Sequence, residues 1–418
     1  MRSLGPGGRG VARGRLRGRL HGRIAGLHTG GDPPVRRLRP DPVRVPRLPR
    51  PDPGGRRLTG GPDRSALRRG LSALFPAADP DAAEVVPLAG DASTRRYFRV
   101  RPAALPGVSV VVMAYPDEVP AGEELPFLNV HRYLRNAAIP VPEVYRSDPE
   151  AKLLFLEDAG DVTLEDFFRD RGPEESLPLY EQCVEVAVRI QADGTKTLDG
   201  AAIPARLAFD VRKFSEEIGF FFEHAVRGFG GILLSKDEER AIGDLFLPFL
   251  AQQASLPRVL AHRDYHSRNV MVLSAAKTDR DRNLRVLDFQ DARMGNVFYD
   301  LASLLRDSYV TLSEEAVARL CYAWRHAASA PLRRAAGDPG AFAERLDAAA
   351  LQRNVKAIGT FGNQAHRRGK TFYLRFIPPT VAHLRRNFER NRPMRALAGK
   401  LLPILDALSG KASREAAP

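Results

Sequence analysis

Apolar positions recur along the chain in two different periods, and the change between them divides the sequence. Between residues 84 and 157 they fall in short runs rich in Val, Tyr and Phe, separated by Gly and Pro, which predicts strands of an antiparallel sheet. The runs are AEVVPLAG, RRYFRVR, VSVVVMAY, PEVYRS and KLLFLED. Helical spacing predicts one helix before them, in DRSALRRGLSALF, and another at 122–136.

Beyond this region the apolar spacing is mostly that of helices. They are predicted at 163–170, 175–192, 209–227, 236–253, 298–307, 313–328, 340–363 and 380–408. The exception is a pair of short strands, NVMVLS and LRVLDF, around the polar turn AAKTDRDRN. Strands followed by helices predict an α+β protein with a small sheet-rich N-lobe, residues 63–158, and a larger helical C-lobe, residues 159–418.

The positive charge is confined to one end of the chain. Residues 1–70 hold 18 Arg, four Asp and no Lys, so they carry the whole net charge of +14 and the body is neutral. Residues 1–62 consist largely of Arg, Gly and Pro, which predicts a disordered tail. The tail could bind RNA or acidic surfaces, but we favour a solvated tail or a start site assigned too far upstream, and nucleic acid is not an expected partner of the body.

Cysteine usage and hydropathy indicate the compartment. Cys183 and Cys321 cannot build a disulfide framework, and no Cys/His spacing is typical of zinc. No apolar run reaches the roughly 20 residues that a membrane span needs, and the N-terminus lacks the apolar stretch of a secretory signal. We therefore expect a cytoplasmic protein that binds no membrane, and we expect a monomer.

The candidate chemistry lies in AHRDYHSRNVMV, residues 261–272. Asp264 and Asn269 stand five apart in a loop that enters a strand, and the next strand ends in VLDFQDA with Asp288 at its junction. If the two strands form a hairpin, Asn269 and Asp288 emerge at the same end, with Asp264 just ahead of them. Carboxylate and amide oxygens are ligands for Mg²⁺. A further carboxylate can accept a hydroxyl proton, so the pattern favours phosphoryl transfer.

The spacing H-x-D-x-x-x-x-N followed by D-F resembles the signatures of the protein kinase-like superfamily, and HRDYHSRN with DFQDARMGNVFYDLASLL resembles its aminoglycoside phosphotransferase branch. With LAGDASTRRYFRV, FLEDAGD and YDLASLLRD, residues 64–405 resemble bacterial cell-wall sugar kinases. These phosphorylate the anomeric hydroxyl of N-acetylmuramate and N-acetylglucosamine in peptidoglycan recycling. The resemblance implies a bilobal protein kinase-like fold, ATP and Mg²⁺ as cofactors, and an amino sugar as acceptor.

The resemblance also implies roles for residues around the catalytic loop. Asp264 would be the catalytic base, and Asn269 and Asp288 would hold Mg²⁺ against the ATP phosphates. His262 would pack inside the lobe, and Asp300 would fix the loop by accepting backbone N–H bonds. The competing interpretation of Asp264 and Asp288, as ordinary turn residues, is disfavoured by the flanking strands.

For the nucleotide, the resemblance implies two further segments. LLFLEDAGD is placed like the hinge between lobes, where Glu157 and Ala159 would offer backbone groups to adenine. GDASTRRYF, which contains Ser93, sits where the phosphate-covering hairpin belongs.

One departure concerns the third strand of the N-lobe. Most kinase-like enzymes carry a phosphate-binding Lys there, but Met113 stands at that place and residues 63–151 contain no Lys. Either the enzyme is active with a substitute cation, or it is a pseudokinase that binds without turnover. We favour Arg95 or Arg96 as the substitute, because a guanidinium can bind phosphate oxygens with two hydrogen bonds.

The acceptor site is the least defined part. His266 and Arg268 either reach substrate or face solvent, and Asp291 either supports the metal ligands or caps a helix. We expect the acceptor site to be lined by FDVRKFSEEIGFFFEH, which contains the further candidate Glu217, and by the late helix NVKAIGTFGNQAHRRGK. This region is mixed in charge, which suits a neutral or anionic amino sugar better than a polycation. The alternatives are a kinase for another small alcohol or an aminoglycoside, and a pseudokinase-like binding protein that uses its Arg-rich arm on RNA or a surface.

Overall fold

The computed structural model describes residues 62–88, 95–116, 118–119, 123–273 and 283–416. Apart from its last residue, the predicted tail of residues 1–62 lies outside the described residues, and so does Ser93 of the predicted phosphate hairpin.

The N-terminal lobe is built on a five-stranded antiparallel sheet with the order β1-β2-β3-β5-β4. Its strands are β1 Glu84–Leu88, β2 Arg96–Arg101, β3 Val110–Ala114, β4 Val144–Asp148 and β5 Leu153–Glu157. The five predicted strands are therefore confirmed, because alternating Val, Phe and Tyr positions fit a sheet covered on both faces.

Helix α1, Arg64–Leu74, covers one face of this sheet. Its Leu67 and Leu71 pack in a cluster with Phe98 and Phe155. A second helix, α2 Pro126–Asn136, covers the other face, and its core is continuous with that of the C-terminal lobe.

The C-terminal lobe is helical. Its helices are α3 Leu164–Arg189, α4 Thr195–Thr197, α5 Ile203–Arg206, α6 Val211–Phe221, α7 Lys236–Ser255, α8 Phe298–Leu305, α9 Glu314–Ala327, α10 Ala330–Ala336, α11 Pro339–Arg368, α12 Ile377–Arg390 and α13 Arg395–Glu415. Two short antiparallel pairs lie among them: β6 Val259–Ala261 with β9 Arg293–Gly295, and β7 Val270–Val272 with β8 Leu284–Val286. An α+β bilobal fold is confirmed.

Several features differ from the predicted elements, and the short helices α4, α5 and α10 were not predicted. The predicted helix 380–408 is two helices, because Asn391 leaves the helical conformation (φ −108°, ψ 96°) before Pro393, which lacks a backbone N–H. The helix predicted from residue 122 begins only at Pro126. The pair β6 and β9 was not predicted, since three-residue strands show no periodicity. Of the helices in the described part of the chain, none is long and apolar enough to cross a membrane.

Candidate active site

A hairpin brings the predicted metal ligands to one edge. Strands β7 and β8 pair with Val270 opposite Val286, and the Leu287 N–H donates to the Asn269 carbonyl at 2.8 Å. Asn269 and Asp288 therefore leave the hairpin at the same end. Asp288 has φ 62°, a left-handed conformation that an L-residue adopts at a cost and that is common at functional sites.

Asp300, at the start of α8, holds the loop that precedes this hairpin. It is 1 % exposed, and its carboxylate accepts the backbone N–H of His262 at 2.6 Å and that of Arg263 at 3.0 Å. Arg263 is at φ 86°, so these two bonds stabilise a strained turn. The His262 ring packs against Tyr265, with centroids 5.6 Å apart, and burial lowers its pKa so that it is neutral.

Asp264 follows this turn and is surrounded by cations. Its Oδ1 lies 2.8 Å from Lys356 Nζ and 3.4 Å from an Arg353 nitrogen, and its Oδ2 lies 3.9 Å from Arg263 Nε. Burial opposes ionisation, but Lys356 and then Arg353 outweigh it, so the pKa of Asp264 is held well below its usual range. An ionised carboxylate that is 23 % exposed can accept a hydrogen bond from an incoming hydroxyl.

The residues at the hairpin end fit a magnesium ion. Burial, and then the negative charge of Asp264, raise the pKa of Asp288, although Gln290 donates to its carboxylate at 2.7 Å. A cation placed there would relieve this repulsion. The Asn269 amide nitrogen donates to the Asp264 carbonyl at 2.8 Å, so its oxygen is the atom that could ligate a metal. Within the described ranges no group of three or more His, Cys, Asp or Glu could hold a metal ion.

The predicted phosphate-binding arginines lie at the start of strand β2, with Arg95 just before it and Arg96 as its first residue. Arg96 pairs with Ala114 of β3, and its guanidinium carbon lies 5.9 Å from the centre of the Phe98 ring. The charge of Arg95 acts on Asp288 and lowers its pKa, against the larger effect of burial. Arg95 therefore lies within electrostatic reach of the hairpin end. Met113, at the place of the usual lysine, is 0 % exposed in the hydrophobic core.

The predicted hinge follows β5. The Glu157 N–H donates to the Glu143 carbonyl at 2.9 Å, so this N–H is engaged within the sheet, and a contact of the Glu157 backbone with adenine stays a prediction. The Glu157 side chain instead pairs with Arg285 at 2.8 and 2.9 Å. Ala159 is 8 % exposed and lies beyond the end of the strand. Sequence reasoning did not identify Arg99 of β2, which fixes the hinge through bonds to Asp158 at 2.6 and 2.8 Å.

His266 and Arg268, the two substrate candidates of the catalytic loop, are partly buried. The His266 ring lies against Tyr309, with centroids 5.0 Å apart, and burial lowers its pKa to about 3. Arg268 pairs with Glu165 at 3.2 Å, and its guanidinium carbon lies 4.9 Å from the centre of the Tyr309 ring. Arg268 therefore packs among aromatic rings.

The remaining substrate candidates are not brought to the pocket described below. Asp291, about half exposed, pairs with Arg263 at 3.2 Å and does not cap a helix. Glu217 of α6 is 6 % exposed and accepts a hydrogen bond from Gln352 at 2.5 Å.

A partly open pocket lies beside Asp264. Its wall includes His266 and three residues of α11, namely Arg353, Asn354 and Lys356. The sequence predicted that this helix lines the acceptor site, but it did not identify Arg353 or Asn354. The three-residue spacing of Arg353 and Lys356, which places them on one helix face, was the signal for Arg353, and no spacing indicated Asn354.

The chain belongs to the phosphotransferase enzyme family (APH), whose sequence profile matches residues 84–337. The chain is similar over most of its length to several N-acetylmuramate/N-acetylglucosamine kinases, among them those of Pseudomonas aeruginosa and Neisseria meningitidis. That of Pseudomonas aeruginosa is 32 % identical over 329 residues, which cover 77 % of this chain and 89 % of the relative. That of Neisseria meningitidis is 30 % identical over 349 residues, which cover 81 % and 95 %.

Solved structures agree on the fold. The choline kinase LicA of Streptococcus pneumoniae superposes with a TM-score of 0.51 at 12 % identity, over 80 % of this chain and 98 % of that one. The chain is thus a small-molecule kinase by family, with a bilobal kinase-like fold.

Proposed function

We propose that this protein is an ATP- and Mg²⁺-dependent kinase that phosphorylates the anomeric hydroxyl of an amino sugar, N-acetylmuramate or N-acetylglucosamine. The observation that carries the proposal is the position of Asp264, at the wall of a pocket and next to the Asn269–Asp288 hairpin end. The names of the relatives supply the substrate class.

In this mechanism Asp264 accepts a hydrogen bond from the acceptor hydroxyl and receives its proton as the new P–O bond forms. A carboxylate with a low pKa is a weak base, which suits a late proton transfer in a loose transition state. A hemiacetal hydroxyl is more acidic than an ordinary alcohol, so it asks less of this base. The hydrogen bond from the Arg263 backbone N–H to the Asp300 carboxylate keeps the loop in place during the reaction.

The nucleotide would lie between the hinge and the hairpin end. Asn269 and Asp288 would hold Mg²⁺, which when bound neutralises charge on the phosphates. Arg95, with Arg96 beside it and Ser93 in the same hairpin, would bind the phosphate oxygens. Ala159 would offer backbone groups to adenine. We place the enzyme in the cytoplasm, where ATP is available, as a monomer acting in peptidoglycan recycling.

The charge of the pocket supports this acceptor over an aminoglycoside. Lys356 and Arg353 lie within 3.4 Å of Asp264, so a polycation would meet two positive groups at the reacting end. A neutral or anionic sugar meets no such repulsion.

The decisive assay measures ATP consumption with N-acetylmuramate, N-acetylglucosamine, choline and aminoglycosides, each with wild type and with Asp264→Asn. We expect turnover with an amino sugar only, and a loss of kcat of at least 100-fold in the variant, because general base catalysis supplies about 10²- to 10⁴-fold. Lys196→Met, at an exposed position, serves as the control. Wild-type kinetics for Asp264→Asn would refute the catalytic assignment.

The substitute cation is tested separately. Replacing both Arg95 and Arg96 with Ala should raise the KM for ATP at least 10-fold, while the KM for the sugar stays within about twofold. Arg101→Ala, further along the same strand, is the matched control. Unchanged ATP kinetics in the double variant would refute the role of both arginines.

A further inference from the structure

The wall of the acceptor pocket has an excess of hydrogen-bond donors. Four of its lining residues hold a buried side-chain nitrogen without a partner: His266 Nδ1, Arg306 Nε, Arg353 Nε and Asn354 Nδ2. Asn354 is only 2 % exposed. Among these described lining residues, no buried side-chain oxygen lacks a partner. A buried donor without an acceptor is unfavourable, so the pocket is complementary to a group rich in acceptor oxygens.

The histidine belongs to the donors because of its neighbour. Asn269 Nδ2 approaches His266 Nε2 at 3.4 Å, which assigns the acceptor role to Nε2 and the ring proton to Nδ1.

The two cations of α11 differ in how firmly they are held. Arg353 donates to Ser303 Oγ at 2.8 Å and to Tyr299 Oη at 3.3 Å, and it stacks on the Tyr299 ring at 5.1 Å. Lys356, by contrast, bonds Asp264 at 2.8 Å through an ammonium that carries three donors on a flexible stem. Lys356 can therefore turn toward a ligand without releasing a rigid network.

The carboxylates around these cations are engaged elsewhere. Both oxygens of Asp307 accept backbone amides, from Ser267 at 2.8 Å and from Tyr309 at 3.0 Å. Glu217 forms no ion pair with Lys356 among the described residues. Asp264 is thus the carboxylate that Lys356 and Arg353 share.

We propose that Lys356, together with Asn354, binds the carboxylate of an acidic acceptor, so that the enzyme distinguishes N-acetylmuramate from the neutral N-acetylglucosamine. The inference rests on the proposed function and adds the group of the sugar that is recognised. The lactyl carboxylate is what the first sugar has and the second lacks, and it supplies the acceptor oxygens that the pocket wall is missing.

The first test uses the wild-type enzyme and changes only the ligand. N-acetylmuramate and its methyl ester have nearly the same shape, but the ester carries no charge. We expect kcat/KM to be about 10- to 100-fold higher for the acid, which is the worth of a charge-assisted hydrogen bond. Equal values would overturn the inference. If neither compound nor N-acetylglucosamine is phosphorylated, the proposed function itself fails, which is a different result.

The second test changes the protein. Lys356→Met should lower kcat/KM for N-acetylmuramate about 10- to 100-fold more than for N-acetylglucosamine, Lys356→Arg should retain the preference, and Lys196→Met should change neither. An equal loss for both sugars would mean that Lys356 only holds Asp264, and would overturn the inference. If Lys356→Met turns over neither sugar, titration calorimetry measures the affinity of this variant for both. A retained preference for N-acetylmuramate would overturn the inference, and a lost preference would support it.

Discussion

Arg99 joins strand β2 to the hinge, and its removal should destabilise the N-terminal lobe. Its guanidinium bonds both oxygens of Asp158, at 2.6 and 2.8 Å, as well as Asp161 at 2.6 Å and the Gly160 carbonyl at 3.1 Å. Arg99 is 7 % exposed and the Asp158 side chain 8 %. Arg99→Met keeps most of the apolar stem but leaves the Asp158 carboxylate buried without its cation.

The expected cost follows from burial. Breaking a buried ion pair by removing one partner costs about 3–5 kcal/mol. Asp158 keeps two other donors, Ser109 Oγ at 2.6 Å and the Gly160 N–H at 3.0 Å, which places the expected loss at about 3 kcal/mol. Asp161, whose side chain is 62 % exposed, adds about 0–1 kcal/mol.

The same strand offers a matched control. Arg101 pairs with Glu84 at 2.9 Å, but the two side chains are 47 % and 61 % exposed, so Arg101→Met should cost about 0–1 kcal/mol. Urea unfolding at pH 7, followed by circular dichroism, measures the free energy of unfolding for both variants. Adding Asp158→Asn to Arg99→Met should restore part of the stability. Equal losses below about 1 kcal/mol in the two single variants would refute the reasoning.

Two further predictions concern stability. Burial opposes ionisation of Glu314, but hydrogen bonds from its arginine partners lower its pKa to about 2, from an ordinary 4.5. The stability that these bonds add is present above pH 4.5 and is lost as the pH falls toward 2. In thermal melts at pH 6, 4 and 3, the Tm of Glu314→Gln should therefore fall less with pH than the Tm of the wild type. An equal fall in both proteins would contradict the prediction. Gly362→Ala should destabilise by about 1–3 kcal/mol, because the new Cβ would meet Ala225 Cα at 2.6 Å. Gly399→Ala, whose new Cβ meets nothing within 4 Å, should be neutral or stabilising. Denaturant titration measures the free energy of unfolding of both variants, and equal values would refute the packing argument.

The elements that were predicted correctly are those that depend on residues close together in the sequence. The strand from Arg96 to Arg101 and the hairpin between Asn269 and Asp288 are encoded by alternation and by a polar turn within a few residues. The same holds for the kink inside α3 at Gly172, where φ is 80°. It lies between the predicted helices 163–170 and 175–192. Pro393 carried an equally local signal, and it was overlooked inside a long apolar period.

The environment of Asp264 shows the limit of such reasoning. Its closest cation, Lys356, is 92 residues away in sequence. Arg99 likewise meets Asp158 across 59 residues. No period or spacing encodes a pair of this kind, because it depends on how α11 packs on α8 and how the sheet meets the hinge.

The sequence by itself therefore determined most of the strands and helices, the two-lobe architecture and the hairpin that brings Asn269 and Asp288 to one end, since neighbouring residues suffice for these. Tertiary packing alone decided that Asp264 is held ionised by two cations, that Arg268 is enclosed by aromatic rings, and that the Glu157 amide is engaged in the sheet. The physical reason is that a side chain's charge state and partners depend on the burial and the distant groups that folding brings around it.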